Sequence, residues 1–215
     1  GVTVHAGTTV ESIESSENEL KVVLDNGDAY PADVVIVSTG VKPNVGFLQG
    51  IDINIEQGIE VDEFMQTSVA DIYAAGDCAQ GLDFSTGETA VHAVQPTATE
   101  HGRVAATNMA TNNSLPYKGS LNMNILDTLG LVTSSFGVWE GVDGGDSAEI
   151  YNPDNYQFIN LQFKDDVLVG ANTVGYHEHL GVLRGLIESR VPLGVWKERL
   201  KENPVGLMDA YIGVT

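Results

Sequence analysis

Apolar residues in the first third of the chain fall into short runs separated by turn-forming clusters. Leu20-Lys21-Val22-Val23-Leu24 is followed by Asp25-Asn26-Gly27-Asp28 and then by a second apolar run over residues 32–37. Asn-Gly between apolar runs predicts a hairpin, because both residues tolerate a positive φ. Val34-Val35-Ile36-Val37 has no polar alternation, which predicts a strand buried on both faces and ending at Ser38-Thr39-Gly40. Val41-Lys42-Pro43-Asn44 then breaks regular structure and marks a crossover between domains. Short alternations occupy residues 51–61, and Ile72-Tyr73-Ala74-Ala75 predicts a further strand that stops at Gly76-Asp77. Residues 79–88, with Gly81, Ser85, Thr86 and Gly87, read as a mobile stretch. Pro96 sits where a helix begins, and residues 97–110 carry small or apolar side chains at Ala98, Val104, Ala105 and Met109, the pattern of a closely packed helix.

Asn112-Asn113-Ser114-Leu115-Pro116 reads as a linker, after which the pattern changes. Strand-like runs recur over residues 123–126, 131–138, 148–151, 156–163 and 167–174, separated by turns rich in Gly or Asp. That spacing predicts an antiparallel sheet. Two helices follow, over 178–189 and 193–202, with Pro204 and Gly206 as stops.

The chain has 215 residues, and its 42% hydrophobic content suffices for a buried core. Thirty acidic and ten basic residues give a formal net charge of −20. Such a charge repels phosphate backbones and anionic membrane surfaces, which argues against a nucleic acid or membrane partner. No apolar run approaches the roughly 20 residues that cross a bilayer, and residues 1–5 lack the features of an export leader. Cys78 is the single cysteine, so no disulfide or multi-cysteine metal site forms within the chain, and a cytoplasmic location is the expectation.

Candidate chemistry concentrates at Gly76-Asp77. A glycine lets a ligand approach the backbone, and an aspartate at a strand's carboxyl end accepts hydrogen bonds from a polyol. The plain alternative is a strand end whose Asp starts a turn. Cys78 reads as a small structural residue, His177-Glu178-His179 as a surface loop or helix start, and His101 as a side chain packed against the sheet. Gly181-Val182-Leu183-Arg184-Gly185 would permit close helix packing.

Three stretches resemble the pyridine nucleotide-disulfide oxidoreductase superfamily, flavoproteins with two dinucleotide-binding domains. Thr67 through Asp77 looks like its second FAD-binding motif, and Val34 through Asn44 like the signature at the return from the nicotinamide domain to the flavin domain. Val94-Gln95-Pro96-Thr97-Ala98-Thr99-Glu100-His101-Gly102-Arg103 is similar to the helix whose amino end faces the flavin ring. More loosely, 131–138 and 167–175 resemble strands of the C-terminal interface domain in the branch containing NADH oxidases, coenzyme A-disulfide reductases and rubredoxin reductases. The resemblance implies an α/β plus α+β chain. Residues 1–44 would be the end of an NAD(P)-binding domain, 45–115 the second segment of an FAD-binding domain, and 116–215 an interface domain of antiparallel sheet and helices.

It further implies that Gly76 and Asp77 lie along the ribityl and pyrophosphate region of FAD, with Gln95, Pro96 and Thr97 at the flavin's pyrimidine edge. NAD(P)H would be the co-substrate, a small molecule or a protein the electron acceptor, and a homodimer would form through the C-terminal domain. The family's two Gly-x-Gly-x-x-Gly turns are missing, since no two glycines here stand two positions apart. The chain is therefore expected to be one part of an FAD-dependent oxidoreductase, inactive by itself; the alternative is a non-catalytic interaction or assembly module derived from such a flavoprotein.

Overall fold

A computed structural model describes residues 1–16 and 19–215. The chain divides into two compact units, Gly1–Val41 and Lys42–Thr215.

The first unit is an antiparallel meander of β1 (Val10–Ser15), β2 (Leu20–Leu24) and β3 (Ala29–Ala32). Leu20 pairs with Ala32 and Val23 with Ala29, so the hairpin forms around Asp25 to Asp28 as the Asn-Gly pair predicts. Gly27 takes φ +88, and the Asn26 side-chain Oδ1 accepts the Asp28 amide at 3.0 Å, the side-chain turn that favours Asn at this place. The second apolar run does not become a strand. Regular pairing ends at Ala32, and Val34, Ile36 and Val37 are 74%, 86% and 70% exposed. A strand apolar on both faces needs a ladder partner and covering layers, and no described residue supplies the ladder.

The second unit begins with a small sheet of β4 (Ile59–Glu60), β5 (Ala79–Leu82) and β6 (Thr89–Ala90), in which β4 and β5 run parallel. The stretch expected to be mobile is thus partly a buried strand. Gln80 explains why a polar sequence can sit there: its Oε1 accepts the amides of Gln57 and Gly58, and its Nε2 donates to Glu56 and Thr89. Fully satisfied, this amide is buried without the cost of an unpaired group. The 17-residue α1 (Gln95–Thr111) packs Val104 and Ala105 with Met65 and Tyr117. Asn108, fully buried, ties the helix to the chain by donating to the carbonyls of Phe64 and Leu115 and accepting the Leu115 amide.

Five antiparallel strands follow: β7 (Met123–Thr128), β8 (Leu131–Gly137), β9 (Asp146–Asn152), β10 (Gln157–Lys164) and β11 (Val167–Val174). Their order is β7-β8-β11-β10-β9. The helices α2 (Leu180–Ser189), α3 (Val195–Glu202) and α4 (Leu207–Val214) cover one face. Period-2 alternation puts Phe136, Ala148, Ile159, Leu161, Phe163 and Ala171 on that face, where they meet Leu183, Leu186, Ile187, Leu200 and Leu207. Pro204 and Gly206 do stop α3, but the chain re-enters a helix at once, because Leu207 and Ala210 bury a new apolar edge. A Cβ at Gly185 would make only ordinary contact with Tyr211 at 3.8 Å and one at Gly181 would meet open space, so neither glycine is required for the packing of α2.

Candidate functional site

Residues 72–75 are extended but form a single bridge, Gln66 to Tyr73, rather than the expected strand. Backbone bonds from Ala74 to Met65 and from Thr67 to Ile72 hold the segment in place. It ends at Gly76, whose φ of +79 suits glycine and penalises any L side chain. A one-turn 3-10 helix, Gly76–Cys78, follows, with the Asp77 side chain exposed and without a hydrogen bond among the described residues. Cys78 is half-buried with its Sγ 3.5 Å from the Ala75 carbonyl, a structural placement.

This turn is seated against the start of α1: a Cβ on Gly76 would lie 3.5 Å from the Cβ of Ala98. Val94 precedes the helix in an extended conformation and offers no capping side chain. Pro96 occupies the first turn and presets its φ. Ala98 donates to the Val94 carbonyl, so the amides of Gln95 and Thr97 are left without intrahelical acceptors. Gln95 and Pro96 are exposed, whereas the Thr97 side chain is buried. A carboxylate and an uncapped, electropositive helix end therefore share one edge, which can bind a polyol beside an electron-rich group.

Behind the edge lies a buried polar cluster that the sequence reading did not assemble. His101 on α1 stacks edge-on against Tyr117 with ring centroids 4.9 Å apart, and its Nε2 is 3.4 Å from Ser120 Oγ, which bonds Tyr117 at 2.6 Å. Burial, aided by repulsion from His92, pushes the His101 pKa down to about 4. Burial likewise pushes Tyr117 up to about 12. His92 Nε2 lies 3.3 Å from Asp83 Oδ2, within ion-pair range but without the alignment of a hydrogen bond. Asp83 Oδ1 accepts the amides of Ser85 and Thr86. The signal for Asp83 was local, an Asp followed by Ser, Thr and Gly, whereas its meeting with His92 depends on the β5–β6 hairpin. His177, Glu178 and His179 are exposed just before α2, and no metal-binding group of His, Cys, Asp or Glu occurs among the described residues.

The mixed small sheet with its helix, followed by an antiparallel sheet backed by helices, has the architecture of the flavoprotein reductases. Residues 1–97 match the family described as pyridine nucleotide-disulphide oxidoreductase. The chain is 31% identical over 209 residues to NADH-dependent phenylglyoxylate dehydrogenase subunit epsilon of Aromatoleum evansii, covering 96% of this chain and 49% of that subunit. It is 39% identical over 111 residues to an NADH oxidase of Methanocaldococcus jannaschii, covering 51% of this chain and 25% of the oxidase. Among solved structures, an NAD-dependent persulfide reductase from A. fulgidus superposes with a TM-score of 0.74 at 30% identity, over 87% of this chain and 38% of that one. The chain thus spans half or less of the length of these relatives.

Proposed function

We propose that this chain is the part of an FAD-dependent NAD(P)H oxidoreductase that holds the ribityl chain and pyrimidine edge of the flavin. The observation that carries the reading is the Gly76-Asp77 turn seated against the uncapped start of α1. Gly76 leaves the backbone open to close approach, and Asp77 accepts from the ribityl hydroxyls. The amides of Gln95 and Thr97, with Pro96 fixing the first turn between them, face the pyrimidine edge and stabilise negative charge there. When bound, FAD supplies the two-electron chemistry, taking a hydride from NAD(P)H and passing electrons to a small-molecule or protein acceptor.

Residues 1–44 act as the end of the NAD(P)-binding domain, 45–115 as the second segment of the FAD-binding domain and 116–215 as an interface domain through which two copies associate in the cytoplasm. The pyrophosphate cradle comes from residues outside this chain, in the same longer protein or in a companion subunit. The exposure of Val34, Ile36 and Val37 supports this, since a parallel sheet of the missing half would cover them. In the full-length protein, FAD should co-purify and its yellow colour should bleach on addition of NADH without oxygen, as flavin reduction requires. A full-length protein that neither holds FAD nor is bleached refutes the reading in favour of a non-catalytic assembly module.

A further inference from the structure

Strand alternation sends Ile159, Leu161 and Phe163 of β10 toward the helices and leaves Phe158 on the opposite face of the five-stranded sheet. Across that face Phe158 stands in register between Tyr151 on β9 and Val174 on β11. The rings of Tyr151 and Phe158 meet edge to face, with 6.3 Å between centroids and 79° between planes. Together with Pro153 and Tyr156 on the β9–β10 turn, and with Gln157, they line an open hollow of about 480 Å³. Phe158 and Val174 are half-buried and form its floor, whereas the tyrosines stand as walls, Tyr151 69% and Tyr156 72% exposed.

Tyr156 is strained in this place. Its φ of +52 and ψ of +41 are left-handed, a conformation that a bulky L residue avoids and that Gly or Asn adopts readily. Gly175 pins the same backbone from the other side, since a Cβ there would overlap the Tyr156 carbonyl oxygen. Most of the Tyr156 ring faces solvent, so neither burial nor backbone preference accounts for a tyrosine at this position.

Charge around the hollow is one-sided. Glu149 lies two residues from Tyr151 on the same face of β9, and Asp154 is exposed on the turn beside Pro153. Lys164 is the one basic residue of the five strands, and it stands at the far end of β10, about 20 Å from Phe158 by strand rise, where it donates to the Asp143 carbonyl. The lining itself offers two phenol hydroxyls and the Gln157 amide, and no charged group.

We propose that this hollow binds a small quaternary ammonium cation, a trimethylammonium head on a neutral tail. Aromatic faces carry negative potential and attract a cation lying within about 6 Å of the ring centroid. The corner between perpendicular rings presents a face on each side to a roughly spherical head, whereas it cannot sandwich a flat ring system. A primary ammonium is strongly hydrated and must exchange its water for acceptors, but a quaternary head has no N–H to satisfy and suits a lining of ring and aliphatic carbon. Anions find no positive charge here. Glu149 and Asp154 favour a cation over an uncharged group of the same shape and repel a zwitterion whose tail is a carboxylate. None of these residues belongs to the flavin edge, so the site stands or falls apart from it.

The test titrates choline chloride into the full-length protein, with sodium chloride holding the ionic strength constant and saturation-transfer NMR reading the choline methyl signal. Open aromatic sites hold such heads weakly, and half-saturation is expected at about a millimolar. The neutral isostere, with tert-butyl in place of trimethylammonium, should bind about tenfold more weakly. Tyr151→Leu and Tyr156→Leu should each weaken choline binding about fivefold, while Tyr156→Phe retains it, because the ring face and not the hydroxyl carries the attraction. Tyr156→Asn separates ligand from fold: it should weaken choline binding as the leucine does and raise the thermal midpoint, since asparagine accepts the left-handed backbone. No choline binding, an isostere that binds equally well, or an affinity unchanged in both leucine variants overturns the assignment. A lowered midpoint in Tyr156→Asn overturns the claim that the ring serves a ligand and not the fold.

Discussion

Replacing Asp77 by alanine should weaken FAD binding while leaving the fold intact. The Asp77 side chain is exposed and has no hydrogen bond among the described residues, so folding forfeits no contact when it is removed. What is lost is a hydrogen bond between a ribityl hydroxyl and a charged acceptor, a class worth about 1.5–3 kcal/mol. That range corresponds to roughly a 10- to 150-fold rise in the dissociation constant. Asp77→Asn keeps an acceptor oxygen without the charge and should lose roughly tenfold or less. The assay is titration of FAD into apo full-length protein, followed by flavin fluorescence, with thermal unfolding of the flavin-free form in parallel. An unchanged FAD affinity in both variants refutes the placement of Asp77. A matching loss of flavin-free stability refutes the claim that the side chain serves only the ligand.

Gly76→Ala meets no clash, since the nearest atom to the new Cβ would be 3.5 Å away, but it forces an L residue to φ +79; scanning calorimetry should show a loss of about 1–2 kcal/mol. His101 has a folded pKa of about 4, below its ordinary 6.5. As pH falls from 6.5 to 4 the unfolded chain gains a proton that the folded chain refuses, so stability declines by up to about 3 kcal/mol across that window. Urea unfolding at several pH values should show this slope, and His101→Gln should flatten it. Ser134 and Thr173 share a buried hydrogen bond of 2.7 Å between β8 and β11. Thr173→Val leaves the Ser134 hydroxyl unpaired at about 1–3 kcal/mol, and adding Ser134→Ala should restore much of that, as read by denaturant midpoints.

What the sequence revealed and what it hid follow one physical line. The β2–β3 hairpin, α1 and the five-stranded sheet were legible because their signals are local: Asn-Gly at a turn, Pro96 at a helix start, and strand-like runs spaced by Gly- or Asp-rich turns from β7 to β11. Residues 34–37 and 72–75 failed as strands because their apolar character asks for ladder partners, and pairing is a property of neighbours that a run of valines cannot supply alone. The β5 strand was hidden by Gln80 and Gly81, whose burial depends on acceptors and donors far along the chain, from Glu56 to Thr89. Likewise the meeting of Gly76 with Ala98, though both lie in motif-like stretches, arises from the packing of the short turn on α1. The pairing of His101 with Tyr117 and Ser120 needed the fold as well.

The most direct measurement of the central claim is a structure of the full-length protein with FAD bound. The account predicts a ribityl hydroxyl within hydrogen-bond distance of the Asp77 carboxylate and the pyrimidine edge facing the amides of Gln95 and Thr97. A flavin bound elsewhere, with Asp77 and the start of α1 both open to solvent, contradicts it.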